Sequence, residues 1–382
     1  MLHVRLPLKF SYSFPRVRGL KTTVPAIPKT MRAVVYRGIN DLRVETVPVP
    51  DTGDDELLVR VAVCGVCPTD IKKIHYGTVP PPRIFGHETA GTIVRVGKRI
   101  NKKFKVGERV ALHHHIPCLK CHFCRHRAFA QCAQYKRTGI TAGFEPAGGG
   151  FAEYVRVMPF VLPGVVKIPA KNSFEEGAML EPVNTILKAV NRLNLLRGDS
   201  VLVVGQGPIG LMFTRILSLR GMKVIASDLL ESRLILARKL GAHLAISANE
   251  VNFATRVKEV SHKGMGIDAA IIAVPSDPAT KQAQQLLRGG GQVLLFAHTV
   301  RGKQSGIDFS EVCVNEKDFF GSYSADFTLQ KEVSRLVFSR KLDVRHLISH
   351  HFPLENTGEA VDLASHPTGD SLKIVVSVKK EV

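Results

Sequence analysis

The chain has 382 residues, 45% of them apolar and 23% charged, the balance of a globular protein with room for two or three domains. No stretch reaches the roughly 18–20 apolar residues that a membrane helix needs. The 32 Gly and 21 Pro are dispersed, so an integral membrane, fibrous or low-complexity protein is excluded. The net charge of +20 is local: residues 1–40 carry eight Lys/Arg and no acid, and residues 95–137 carry twelve against Glu108 alone. Such patches attract nucleic acid, acidic membranes or phosphorylated ligands, but a solvated basic lobe is the simpler reading.

Residues 1–30 are acid-free and interrupted by Pro7, Pro15, Pro25 and Pro28. Their composition is that of a transit peptide, yet the prolines break the amphipathic helix such a segment forms. A disordered extension, or a start placed too far upstream of Met31, is therefore expected. From Met31 to about Ala178 the text is short and β-rich, with candidate strands at 32–36, 42–47, 56–63, 91–96 and 109–112. A helix is expected to begin near Thr69, where Thr69-Asp70 can cap it.

After Pro182 the rhythm changes. A helix from Thr185 to Leu195 precedes Val201–Val204, an all-apolar run of the kind buried on both faces of a parallel sheet. Strands at 222–227, 243–246, 267–274 and 291–297 then alternate with helices at 208–220, 231–240, 252–262 and 278–288, which argues for a doubly wound α/β domain. Beyond about 318 the alternation stops. A helix (328–339) and a strand (372–378) are expected to return to the first domain.

Gly205-Gln206-Gly207-Pro208-Ile209-Gly210 directly follows the apolar strand and opens the next helix. Strand before, helix after and an acid downstream make this G-x-G-x-x-G a dinucleotide site. Gly205 permits the tight turn, Gly207 lets the backbone approach a pyrophosphate, and Gly210 allows close helix–strand packing. Asp228, 18 residues after Gly210, would accept from the ribose hydroxyls and repel a 2′-phosphate, favouring NAD over NADP. Arg233 would stack on the adenine or meet a phosphate.

Of seven cysteines, Cys118, Cys121, Cys124 and Cys132 fall within 15 residues. Four thiolates complete a tetrahedron, so this lobe reads as a closed structural zinc site, with an iron–sulfur cluster or a nucleic-acid-binding zinc module as minor alternatives. The odd count and the clustering argue against a disulfide framework and for a reducing compartment, taken here as the cytoplasm. His113, His114 and His115 precede the lobe. In an extended segment only alternate side chains share a face, so at most two could bind one metal, and a solvated or satisfied trio is expected.

Cys64-Gly65-Val66-Cys67-Pro68-Thr69-Asp70 is followed 20 residues after Cys67 by Gly86-His87-Glu88, and much later by Leu180-Glu181-Pro182. One thiolate, one imidazole and one carboxylate would leave an open position on zinc. Read alone, Cys64 and Cys67 also fit a redox pair or half a zinc site, and Cys64 fits a core position.

With these motifs in this order, together with Gly149-Gly150-Phe151-Ala152-Glu153-Tyr154, the chain from about Met31 to Val378 resembles the zinc-containing medium-chain alcohol dehydrogenases, and more closely their sorbitol (L-iditol) and threonine dehydrogenase branch. The resemblance implies a GroES-like β-rich catalytic domain over 31–183 and 319–382, with the zinc lobe at 113–135. It implies a Rossmann NAD-binding domain over 184–318 and usually a homodimer or homotetramer. It implies that Cys67 and His87 bind a catalytic zinc and that Glu88 can approach it. It implies that Glu181 belongs to the same zinc site, standing where polyol-oxidising relatives carry Glu and simple alcohol dehydrogenases carry Cys. Asp70 would orient His87. Two zinc ions per chain and NAD are expected. The reaction would be reversible hydride transfer from an alcohol made acidic by zinc, with Thr69 taking the proton.

Many relatives carry His three residues after this Thr/Ser; here Lys72 stands there, so Lys72, His75 or solvent itself would end the relay. Phe144 and Phe151 are candidate pocket walls or core residues. A polyhydroxy substrate is expected by analogy, with L-threonine 3-dehydrogenase as the alternative within enzymes. A non-catalytic, nucleic-acid-binding member is disfavoured because Cys67, His87, Glu181 and Thr69 are all present.

Overall fold

The computed structural model describes residues 26–136, 148–297, 304 and 306–378. The reading of residues 1–30 and that of Phe144 fall almost wholly outside them.

One sheet is mainly antiparallel. Its strands run in the order Ile348–Pro353, Lys373–Ser377, Leu57–Gly65, Glu88–Val96, Arg109–Leu112 and Val165–Lys167, and Tyr154–Val157 also pairs with Leu57–Gly65. The expected return of the tail is observed: Lys373–Ser377 pairs antiparallel with Leu57–Gly65, with Val376 opposite Cys64. Asp41–Pro48, Thr30–Gly38 and Arg83–Ile84 form a smaller sheet beside it.

The second sheet is wholly parallel. Its six strands stand in the order Leu244–Ser247, Lys223–Asp228, Ser200–Val204, Ile267–Ile272, Leu287–Leu295 and Asp318–Gly321. Numbered along the chain this is 3-2-1-4-5-6, the order that reverses between its first and fourth strands and opens a crevice there. Ser200–Val204 shows why its sequence is all apolar. Val201 and Val203 enter one core cluster and Leu202 and Val204 another, so both faces of the strand are covered.

Several elements differ from expectation. The helix expected at Thr185–Leu195 runs instead from Leu180 to Val190. Pro182 sits in the first turn of this helix, where a proline lacks only an N–H that has no helical partner anyway. This helix is almost entirely buried and shares one core with Val63, Ala90 and Ala111 of the first sheet and Val201 and Val203 of the second. The alternation also continues three residues past 318, because Asp318–Gly321 adds a parallel strand to the sheet edge. Finally, Ile348–Pro353 and the helix Thr357–Ser365 fill a stretch in which no element was expected.

Candidate active site

Cys67 is the N-cap residue of the helix Pro68–Tyr76, and its thiol makes no capping bond. Pro68 opens the helix, and the first turn presents Thr69 and Asp70 beside Cys67. His87 and Glu88 arrive from the adjacent strand, Glu88–Val96, just after Gly86, whose φ of +97° is a conformation only glycine takes easily. Ligand atoms of Cys67, His87 and Glu88 lie within 4.8 Å of one another. The Thr69 hydroxyl bridges them, 3.2 Å from Cys67 Sγ and 3.3 Å from His87 Nε2.

On the far side of the ring, His87 Nδ1 meets the fully buried Asp70 carboxylate at 3.0 Å. Burial disfavours imidazolium, but the Asp70 and Cys67 charges outweigh it and hold the His87 pKa well above its ordinary value. Glu88 is ion-paired with Lys373, a buried residue of the tail strand whose ammonium also donates to the Val66 carbonyl at 2.8 Å. Burial opposes charge on Lys373, yet Glu88, ahead of Cys67, raises its pKa overall. Sequence reading missed Lys373. Its signal was a lone charge in the otherwise apolar run Leu372–Val376.

Glu181 is buried in the first turn of its helix and groups more tightly with His114 and His115 than with the Cys67 cluster. Its Oε1 lies 3.9 Å from His115 Nδ1. Desolvation pushes its pKa up to about 7. Of the solvated or satisfied trio that was expected, the solvated reading is corrected here, since His113, His114 and His115 are all buried. The chain leaves strand geometry after Leu112 and turns, with Ile116 N–H donating to the His114 carbonyl, so neighbouring rings converge instead of alternating. Burial drives His113 down to about 4 and the other two well below the usual imidazole range. The His114 ring centroid stands 5.4 Å from that of His87, so this second group adjoins the first.

The two relay candidates part company. His75 uses Nδ1 on Asn40 (2.5 Å) and Nε2 on Ser365 (2.9 Å), away from Thr69. Lys72 lies one turn after Thr69 on the same helix, and burial lowers its pKa. Phe151 is 1% exposed and belongs to the core. Cys64 is buried too, its thiol 3.4 Å from the Thr89 hydroxyl and pushed up to about 12, an inert packing residue and no redox partner for Cys67.

The four lobe cysteines converge as a tetrahedral zinc requires. Cys118 and Cys124 sulfurs are 3.9 Å apart and those of Cys121 and Cys124 3.5 Å, against about 3.8 Å for two thiolates on one zinc. Backbone N–H groups of Lys120 and Cys121 hold the Cys118 thiol down at about 6. The thiols therefore fit a zinc ion without rearrangement.

At the end of Ser200–Val204, Gly205 has φ +90°, and the helix Pro208–Leu219 begins at Gly207. A Cβ on Gly210 would collide with the Gly205 carbonyl oxygen at 1.7 Å, while one on Gly207 would meet only open space, room for a phosphate on the helix N-terminus. Ile209 is half-buried against the core. Asp228 ends the next strand and accepts from Gln206 N–H at 2.6 Å and Leu230 N–H at 3.0 Å. Arg233 lies 3.7 Å from the same carboxylate. Strand order, glycine turn and acid together fit a dinucleotide.

Residues 53–170 match the alcohol dehydrogenase GroES-like domain family and residues 208–339 the zinc-binding dehydrogenase family. The sorbitol dehydrogenases of Bombyx mori and Bacillus subtilis are each 30% identical, covering 91% and 92% of this chain and 98% of their own. The alcohol dehydrogenase structure from Thermus sp. ATN1 superposes with a TM-score of 0.79 at 27% identity, over 91% of this chain and 100% of that one. The chain belongs to the zinc-containing medium-chain alcohol dehydrogenase superfamily, in its sorbitol dehydrogenase-like branch. It is an oxidoreductase built for zinc and a nicotinamide dinucleotide, with a small-molecule alcohol as substrate.

Proposed function

We propose that the chain oxidises a secondary alcohol of a polyol with NAD, reversibly, at the cluster of Cys67, His87 and Glu88. The observation that carries this reading is the Thr69 hydroxyl set between Cys67 Sγ and His87 Nε2, where a substrate hydroxyl would have to shed its proton. Zinc held by these residues supplies Lewis acidity towards that hydroxyl, and NAD the hydride acceptor.

The chain's own residues do the rest. Asp70 accepts from His87 Nδ1–H and so leaves Nε2 as the ligand atom. Thr69 Oγ1 accepts the substrate proton as it gives up its own hydroxyl proton, and an unprotonated Lys72 amine, one turn along, receives that proton and releases it to solvent. Lys373 holds Glu88 by one oxygen and sets its approach to the metal. Glu181 faces the cluster from the buried helix. The four-cysteine lobe holds the second zinc with no position left open for chemistry. Asp228 gives NAD its advantage, since a 2′-phosphate would meet a carboxylate already fixed by two backbone N–H groups.

The polyol reading is preferred to L-threonine on electrostatic grounds. Asp70, Glu88 and Glu181 are all buried here, and the buried cation Lys373 is already committed to Glu88. A substrate carboxylate would enter that field at a cost. A panel of polyols, simple secondary alcohols and L-threonine with NAD and NADP tests it. Polyols with NAD should give the highest kcat/KM, with Cys67→Ser inactive. L-Threonine as the best substrate would overturn the polyol reading.

A further inference from the structure

We propose that Tyr135 is a positioning residue through which the four-cysteine lobe holds the catalytic cluster in place. The inference rests on the reading that Cys67, His87 and their neighbours hold the catalytic zinc.

The chain enters and leaves the lobe through two short stems. His115 stands three residues before Cys118, and Tyr135 three residues after Cys132. Cys118 N–H donates to Cys132 Sγ at 3.4 Å, so the first and last cysteines close the neck between the stems. Just beyond that neck the two rings stack, their centroids 4.4 Å apart and their planes 12° from parallel. A zinc ion on the four thiols therefore also sets the spacing of this stack. Tyr135 is 2% exposed and shares the small core of the lobe with Cys124, Phe129, Ala130 and Cys132. Its hydroxyl donates to the Ala325 carbonyl at 3.0 Å and lies 2.5 Å from Ser324 Oγ. Lys188, on the helix of Glu181, holds the same loop by donating to the Tyr323 carbonyl at 2.8 Å. The ring is thus fixed both from the lobe and from the loop.

His115 in turn meets the catalytic residues. Its ring centroid is 6.3 Å from that of His87, and its Nδ1 is 3.9 Å from Glu181 Oε1. Its Nε2 lies 3.2 Å from Nε2 of His114, whose ring centroid stands 5.4 Å from that of His87. Without the flat face of Tyr135, His115 would have room to turn, and the metal-site side chains around it would loosen.

The test uses the full, zinc-loaded chain and follows zinc release to a chelator alongside turnover. The catalytic ion is the phase of release that Cys67→Ser lacks. Tyr135→Ala should keep both zinc ions. Its catalytic ion should leave about tenfold faster and its kcat fall about tenfold, the low end for losing a group that orients metal ligands. KM for NAD should not move. Tyr135→Phe, which keeps the ring, should retain most of the wild-type turnover and the wild-type release rate. His115→Ala should match Tyr135→Ala, and the double variant should be no worse than His115→Ala alone, because Tyr135 acts through that ring. If Tyr135→Ala does not fold, Tyr135→Leu, which keeps bulk without a planar face, is held to the same expectation. Wild-type release and kcat in Tyr135→Ala overturn the proposal even if its Tm drops, since the role is then structural only. So do losses that add in the double variant, or a Tyr135→Phe as impaired as Tyr135→Ala. A Cys67→Ser protein that keeps both zinc ions refutes the earlier reading instead, and that outcome does not depend on Tyr135.

Discussion

The Lys373 ammonium and the Glu88 carboxylate form an ion pair inside the protein, joining the tail strand to the strand that carries His87. The two residues lie far apart in sequence. It exists only because Lys373–Ser377 returns to pair with Leu57–Gly65, whose Gly65 makes room for it. A Cβ on Gly65 would lie 1.9 Å from Glu88 Oε2 and 2.9 Å from the Lys373 side chain.

Lys373→Met removes one partner and leaves a carboxylate stranded. Breaking a buried pair in this way costs about 3–5 kcal/mol. Urea denaturation of the metal-free protein should show a loss of that order, and Lys373→Met/Glu88→Gln should recover most of it. A single variant as stable as wild type would mean the pair contributes nothing net.

Thr69 is expected to act in proton transfer alone. Thr69→Val should lower kcat by roughly 10²–10⁴, the usual worth of a positioned acid–base group, with zinc content unchanged. Thr69→Ser, which keeps the hydroxyl, should restore most of it. Full turnover by Thr69→Val would remove the hydroxyl from the mechanism.

Motifs local in sequence were legible, and contacts between distant segments were not. The cysteine lobe and the Gly205–Gly210 turn could be read because their spacing encodes their chemistry over a few residues, whereas Cys67 and His87 were assigned through the family resemblance. The apolar run Val201–Val204 likewise announced a strand covered on both faces. Lys373 could not be placed, since its partner lies hundreds of residues away and nothing near it in sequence is acidic except Asp370. The histidines were misjudged because the alternation rule holds only while the strand lasts, and it ends at Leu112. Pro182 misplaced a helix start because a proline marks the first turn of a helix as readily as a break.

Glu176 links the segment before the Glu181 helix to the loop after the helix Gln330–Phe338. Its carboxylate accepts from Ser173 N–H at 2.7 Å in a capping box, from Asn172 at 2.9 Å, and from Arg340 Nε at 3.0 Å. Burial raises its pKa, but the Arg340, Ser173 and Asn172 bonds outweigh this and depress it below the ordinary carboxyl value. A group with a depressed folded-state pKa stabilises the fold above its unfolded pKa, and the contribution is lost as pH falls through the folded value. Glu176→Gln should therefore cost about 1.5 kcal/mol at pH 7, the low end for a bond to a charged group, because Arg340 is 38% exposed. The gap in Tm between variant and wild type should close as the pH is lowered below the ordinary carboxyl range. A gap constant with pH would assign the loss to packing.

Asp228 should set the choice of dinucleotide in two ways at once. Its oxygens fix the Gln206 and Leu230 amides and so shape the turn on which the pyrophosphate would rest. They also lie 3.7 Å from the Arg233 guanidinium, which is 15% exposed and held near the carboxylate. Asp228→Ala removes the acceptor for the ribose hydroxyls and releases Arg233 to meet a 2′-phosphate. NAD should lose at least tenfold in kcat/KM, equivalent to about 1.4 kcal/mol, while NADP improves. Adding Arg233→Ala to Asp228→Ala should abolish the gain with NADP without restoring NAD. If Asp228→Ala weakens both dinucleotides equally, the carboxylate serves the turn alone, and selectivity must come from elsewhere in the crevice.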